Sequence, residues 1–322
     1  MLKRFLFYTI LVAICISLFS CTGSKKEINI GIISIIEHPA LDAVRNGFKD
    51  FLTGKGYKEN INIKYDYRNA KGRLENADQI VAGFIGNKVN LILAIGTPVA
   101  KVAAEKTKNI PIMIAAITDP VSAGLVESMD KPGGNVTGTS DMNPVRDQLE
   151  LIKNILPITK KVGILYNPGE SNSVAIMKIA KQIAKDLSID LVEATATSTS
   201  GVQAAVASLI GKVNAVYMPT DNTMAAAIDV IIDVCSKNKL PFFSSDEESV
   251  KQPGGAIASI SVNYYQLGRQ TGMMAVEVLK GAKPATVAVE YQKTFDLSIN
   301  NITAAKLGIT VPAEILKKAK VY

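Results

Sequence analysis

The sequence predicts an α/β protein built as two doubly wound, parallel-sheet lobes joined by a hinge of more than one strand. Three observations point there. Short apolar runs of β-forming residues alternate with stretches of helical periodicity. The alternation starts again near residue 161. The join between the two series is rich in glycine, proline and asparagine.

Each element follows from its local pattern. Ile28-Asn29-Ile30-Gly31-Ile32-Ile33 reads as a buried strand, and residues 39–53 as an amphipathic helix. A strand over 61–67, a helix over 73–85, a strand over 91–95, a helix over 98–106 and a strand over 112–116 complete the first series, the signature of βαβ units. Lys161-Val162-Gly163-Ile164-Leu165 opens the second series, followed by a helix over 173–187, a strand over 191–196 and a helix over 203–210. Lys88-Val89-Asn90-Leu91 is matched by Lys212-Val213-Asn214-Ala215, and Ile110-Pro111-Ile112-Met113 by Leu240-Pro241-Phe242-Phe243, at a shift of about 124 to 132 residues. Any two open α/β domains share part of this likeness. Gly133-Gly134-Asn135 to Pro144 marks the join. A strand over 256–262, a helix over 265–280 stopped by Gly281 and Pro284, strands within 285–299, and short helices near Ala304 and Ala313 then exceed what the second series needs. These surplus elements are expected to cross back between lobes. The expected division is 28–140 with about 263–283 for lobe 1, and 141–262 with about 284–322 for lobe 2.

The N-terminus reads as an export signal. Met1-Leu2-Lys3-Arg4 is positive, the run from Phe5 to Phe19 is uncharged and apolar, and Leu18-Phe19-Ser20-Cys21 precedes a polar stretch. The run is shorter than the roughly 20 residues of a membrane-spanning helix. The ending resembles a bacterial lipobox. Residues 1–20 are therefore expected to be removed, Cys21 to carry the lipid, and residues 21–27 to form a tether. An uncleaved anchor, or a plain signal peptide with an incidental cysteine, is the alternative. Cys15 leaves with the signal, so Cys235 is left as a lone thiol in an apolar pattern and is expected in the core.

Charge and composition narrow the function. The net charge of +7 includes Lys3 and Arg4, and the remaining basic residues are scattered. That suits a protein near an anionic membrane and gives no reason to expect nucleic acid. His38 is the single histidine, which excludes any site needing two. No GxxxxGK, HExxH, GxSxG or GxGxxG follows a strand, so no catalytic, metal or cofactor site is expected.

Binding chemistry is expected where open α/β sheets place it, beyond the carboxyl ends of the strands. The segments there are Ser34 to Pro39, Gly96-Thr97-Pro98 and Thr118-Asp119-Pro120 in the first lobe. In the second they are Tyr166 to Asn172, Pro219 to Thr223 and Ser244 to Glu247. Ser34, Thr97 with Pro98, and Thr118 offer neutral donors at helix starts, suited to a carboxylate. Glu37, Asp119, Asp221 and Asp246 can neutralise an ammonium group. His38, Asn167, Asn172, Thr220 and Asn222 complete the candidate set. Arginine is absent from all six segments, which disfavours a phosphorylated solute and favours a zwitterion with an apolar side chain. Each of these residues, taken alone, is also an ordinary helix cap or turn residue.

At the same loops the chain resembles a known family. Glu37-His38-Pro39-Ala40-Leu41-Asp42, Thr118-Asp119-Pro120-Val121, Pro132-Gly133-Gly134-Asn135-Val136-Thr137-Gly138, Tyr166-Asn167-Pro168-Gly169-Glu170, Pro219-Thr220-Asp221-Asn222-Thr223 and Tyr264-Tyr265-Gln266-Leu267-Gly268-Arg269-Gln270 are similar to ABC-transporter substrate-binding lipoproteins. The resemblance runs from about Ile28 to Leu307. It implies a fold like the type I periplasmic-binding proteins, a hinge-closing cleft, a monomer anchored by lipid outside the cytoplasm, and a partner permease with its ATPase. It also implies tryptophan, tyrosine or phenylalanine as the solute. A receptor of the same fold for a sugar or nucleoside is the alternative, disfavoured by the absence of tryptophan. An enzyme or sensor domain on this fold is a more distant one.

Overall fold

The computed structural model describes residues 27–322. The signal segment, Cys21 and most of the expected tether lie outside the described residues.

The first series folds as β1 (Ile28–Ser34), α1 (Pro39–Gly54), β2 (Ile63–Asn69), α2 (Leu74–Gly86), β3 (Leu91–Ile95), α3 (Thr97–Lys106), β4 (Ile112–Ile117) and β5 (Val136–Ser140). The second contains α4 (Val145–Ile155), β6 (Lys161–Tyr166), α5 (Ser171–Asp186), β7 (Asp190–Thr195), α6 (Thr199–Ala207), β8 (Ala215–Met218), α7 (Asn222–Ala225), α8 (Ile228–Lys237), β9 (Phe242–Ser244), α9 (Glu247–Lys251) and β10 (Ala258–Val262). The tail supplies α10 (Tyr264–Leu279), β11 (Glu290–Tyr291), β12 (Phe295–Ile299), α11 (Asn301–Lys306), α12 (Ala313–Leu316) and β13 (Lys320–Val321).

Two sheets result, with strand orders β11-β5-β4-β3-β1-β2 and β13-β12-β10-β9-β8-β6-β7. Every pairing is parallel except β10 with β12. Helices cover both faces, so the central strands β3 and β4 are buried along their whole length and read as continuous apolar runs. The order within each sheet reverses beside its first strand, and ligand loops converge at such a switch point.

The chain passes between the sheets three times: through 141–144, at Asn263, and through 292–294. The join differs in detail from the sequence expectation. Val136–Ser140 is a fully buried strand of the first sheet, so the first crossing shrinks to four residues and is followed at once by α4, which the sequence pattern had not revealed. The boundary expected near 284 also moves. Glu290 and Tyr291 pair with Thr139 and Ser140, and Thr137 Oγ1 donates to Val287 O at 2.6 Å. The chain from 284 to 291 thus covers the edge of β5, which would otherwise present unpaired backbone groups. A two-residue exposed strand has no periodicity to detect.

The return of α10 to the first lobe is secured by glycine. α10 packs on α1 so closely that a Cβ at Gly47 would lie 2.1 Å from Tyr265 O, and one at Gly268 would lie 2.0 Å from Val44 O. α1 buries Leu41, Val44, Phe48 and Leu52 on the face it turns inward, the spacing of an amphipathic helix.

Candidate ligand-binding cleft

Between the lobes lies a cavity of about 50 Å³. Eight residues singled out from the sequence line it: His38, Thr97 and Thr118 from the first lobe, and Asn172, Thr220, Asp221, Asn222 and Asp246 from the second. Ile36, Leu41, Met218 and Ala225 supply apolar wall, and no lysine or arginine lines it.

The first-lobe side is built by three strand ends. After β1, His38 caps α1: its Nδ1 accepts from Ala40 N at 3.3 Å, with Pro39 in the first turn. An accepting Nδ1 puts the ring proton of the neutral form on Nε2. That nitrogen faces Asp246 Oδ2 across the cleft at 3.6 Å. After β3, Gly96 turns the chain at φ +101, where a Cβ would also strike Ile35 Cγ2 at 2.6 Å. This turn sets buried Thr97 at the head of α3. At the end of β4 the register shifts between Ile114 and Ile117, and Ala116 adopts φ 54. A bulge of this kind re-aims the side chains that follow it, here Thr118.

The second-lobe side is a tight polar network. Asp221 Oδ2 accepts from Asn167 N and Ser173 Oγ, both at 2.6 Å, and its Oδ1 caps α7 through Met224 N at 2.8 Å. Burial and the neighbouring Glu170 push its pKa up. Glu170 accepts from Asn222 Nδ2 at 2.6 Å and Thr223 Oγ1 at 2.7 Å. Asp246 caps α9 through Glu248 N and Ser249 N, and its pKa is raised by burial against the opposing pull of His38.

The other five sequence candidates do not line the cavity. Ser34 Oγ donates to Ile36 O at 3.0 Å. Glu37 is exposed. Pro98 faces an outer groove between α3 and α5. Asp119 caps a turn through Ser122 N at 2.9 Å. Asn167 Nδ2 donates to Thr223 Oγ1 at 2.8 Å and braces the network.

Sequence reasoning missed Asp141 and Tyr264. Asp141 is 1% exposed and opens the first crossing. Thr118 Oγ1 donates to its Oδ1 at 3.2 Å and Tyr264 OH to its Oδ2 at 3.0 Å. Burial pushes its pKa up to about 6 despite these bonds. The Tyr264 phenol is held well above its ordinary pKa by burial and by Asp141, so it remains a donor. Asp141 follows a strand end, the rule used for the other loops, but its strand lay inside the Gly/Pro/Asn-rich stretch taken as hinge.

Residues 29–322 match the sequence profile of the family described as ABC transporter substrate binding protein. The chain belongs to this family. The receptor is 41% identical over 288 residues to a tyrosine-binding protein of Clostridioides difficile, covering 89% of this chain and 83% of that one. Among solved structures, a domain from Streptococcus pneumoniae in complex with L-Trp is 36% identical with a TM-score of 0.89, covering 92% of this chain and 99% of the other. The ligand-free, open structure of a substrate-binding protein with adhesive properties from Clostridium difficile is 37% identical over the same shares, with a TM-score of 0.71.

Proposed function

We propose that this receptor binds an aromatic amino acid between its lobes and delivers it to an ABC permease, tethered to the membrane through Cys21. One observation carries the reading. The cavity holds the carboxylates of Asp141, Asp221 and Asp246 with apolar wall and no basic side chain except His38. Such a site favours an ammonium group attached to an apolar body and rejects a phosphorylated solute. The tyrosine named for one relative and the tryptophan bound by another have this form.

Among the three carboxylates, Asp141 is our choice for the ammonium. Asp221 already accepts three hydrogen bonds from its own lobe. Asp246 accepts two backbone N–H groups and faces His38, whereas Asp141 accepts two neutral hydroxyls and retains lone pairs. The ring would lie against His38, Leu41 and Met218. A solute that touches both lobes gains its full contacts only on closure, and so shifts the hinge equilibrium. The site binds without turnover on this reading.

Isothermal titration of residues 22–322 with L-tryptophan, L-tyrosine and L-phenylalanine tests it. Saturable binding of at least one is expected. A folded protein giving no heat with any of them sinks the ligand assignment. Labelling of whole cells with a lipid precursor, with Cys21→Ala unlabelled, tests the anchor.

A further inference from the structure

Asn172 sits in the first turn of α5, lines the cavity and is 3% exposed. Its Nδ2 is directed to Glu170 Oε2 at 3.5 Å and Ser173 Oγ at 3.3 Å. The Glu170 carboxylate, which also takes N–H donors from Asn222 and Thr223, fixes which way round the amide sits. Asn172 Oδ1 is left buried with no partner. A buried amide oxygen without a donor is unfavourable, and an orphan of this kind in a native site calls for an explanation.

The topology says which part of a ligand reaches it. Asp141 follows β5, which lies at the crossing edge of its sheet beside β11. Asn172 follows β6, separated from the crossing strands β10 and β12 by β8 and β9. The two residues therefore stand toward opposite ends of the cavity. Ile36, Leu41, Met218 and Ala225 supply apolar wall of the same cavity. A ligand whose ammonium meets Asp141 directs the tip of its side chain toward Asn172. Two neighbouring polar groups of the second lobe are already engaged: Asp221 with three donors of its own lobe, and Asn222 Nδ2 with Glu170.

We infer that Asn172 Oδ1 accepts a hydrogen bond from the ring of the ligand. This receptor then prefers tyrosine or tryptophan, which carry a phenol O–H or an indole N–H, to phenylalanine, which carries no ring donor. The inference rests on the aromatic amino-acid reading above and deepens it. With a donor ligand the orphaned oxygen is satisfied. With phenylalanine it stays buried and unpaired, and a site left so discriminates strongly.

The decisive experiment is titration of the native protein with tyrosine, tryptophan, phenylalanine and 4-fluorophenylalanine, whose fluorine fills about the space of the hydroxyl but donates nothing. The tighter of tyrosine and tryptophan should bind about tenfold or more tightly than phenylalanine and 4-fluorophenylalanine. In Asn172→Leu, of similar shape, that ratio should fall toward one. Equal affinities for the native protein, or a ratio that survives in a folded Asn172→Leu, overturn the assignment of Asn172 and leave the aromatic reading standing. If the variant does not fold, the fluorinated ligand on the native protein decides alone. If none of the four binds, the aromatic reading falls, and this inference with it.

Discussion

Asp141 concentrates the electrostatics of the cleft. Its carboxyl is buried, accepts two neutral donors, and keeps its proton up to about pH 6. A carboxyl whose folded pKa lies above its unfolded value of about 4 favours the folded state below that value, and this contribution is withdrawn as pH rises through about 6. A ligand ammonium needs the ionised form, so binding has the opposite sign: apparent affinity should fall by up to about tenfold per pH unit as pH drops below about 6. Titration calorimetry between pH 4.5 and 8 checks the slope. Asp141→Asn should weaken binding by about 1.5–3 kcal/mol at pH 7, the worth of a hydrogen bond to a charged group, and should remove much of the pH dependence. An unchanged affinity would point to Asp246 as the ammonium partner instead. His38 shows the same economy of residues: the sequence left it between helix cap and ligand contact, and its two ring nitrogens face Ala40 N and Asp246 separately.

At the scale of elements, the contact of α1 with α10 links packing to the site. Gly47, Gly268 and Gly272 let the two helices approach until backbone meets side chain and backbone. Gly268→Ala places a methyl group where Val44 O stands, and the overpacking should cost about 1–3 kcal/mol, read as a lower urea midpoint. Because Tyr264 heads α10 and reaches Asp141, ligand affinity should fall in the same variant. A midpoint equal to that of the native protein would show that the helices separate without cost. Long elements were legible in the sequence because period and length agree. α1, α2, α5 and α10 lie within a residue or two of their expected bounds. β5 was not, because Val136-Thr137-Gly138-Thr139-Ser140 has no strong β pattern and earns its burial only by lying between β4 and β11. α4 was hidden behind it, its start marked by Pro144 rather than by a polar cap.

Taken whole, the molecule is two lobes that meet across the cleft through His38 and Asp246. The three crossings permit rotation of one lobe against the other, while each lobe keeps its own core. Small-angle scattering of the purified, ligand-stripped protein should therefore give a larger radius of gyration than after saturation with the bound amino acid. Identical curves would mean that the lobes stay closed without ligand.

The sequence by itself determined the two α/β lobes, the strand-end loops that face each other, and the lack of basic residues among them, because periodicity and composition are local properties. Eight of the loop residues it singled out do line the cavity. Only the tertiary structure decided their roles. Whether Asp221 is free or spent, whether Asn172 Oδ1 has a partner, and that Asp141 and Tyr264 meet across 123 residues of chain depend on neighbours distant in sequence. Burial and hydrogen-bond satisfaction are properties of the packed whole, and those two quantities decide which polar groups remain available to a ligand.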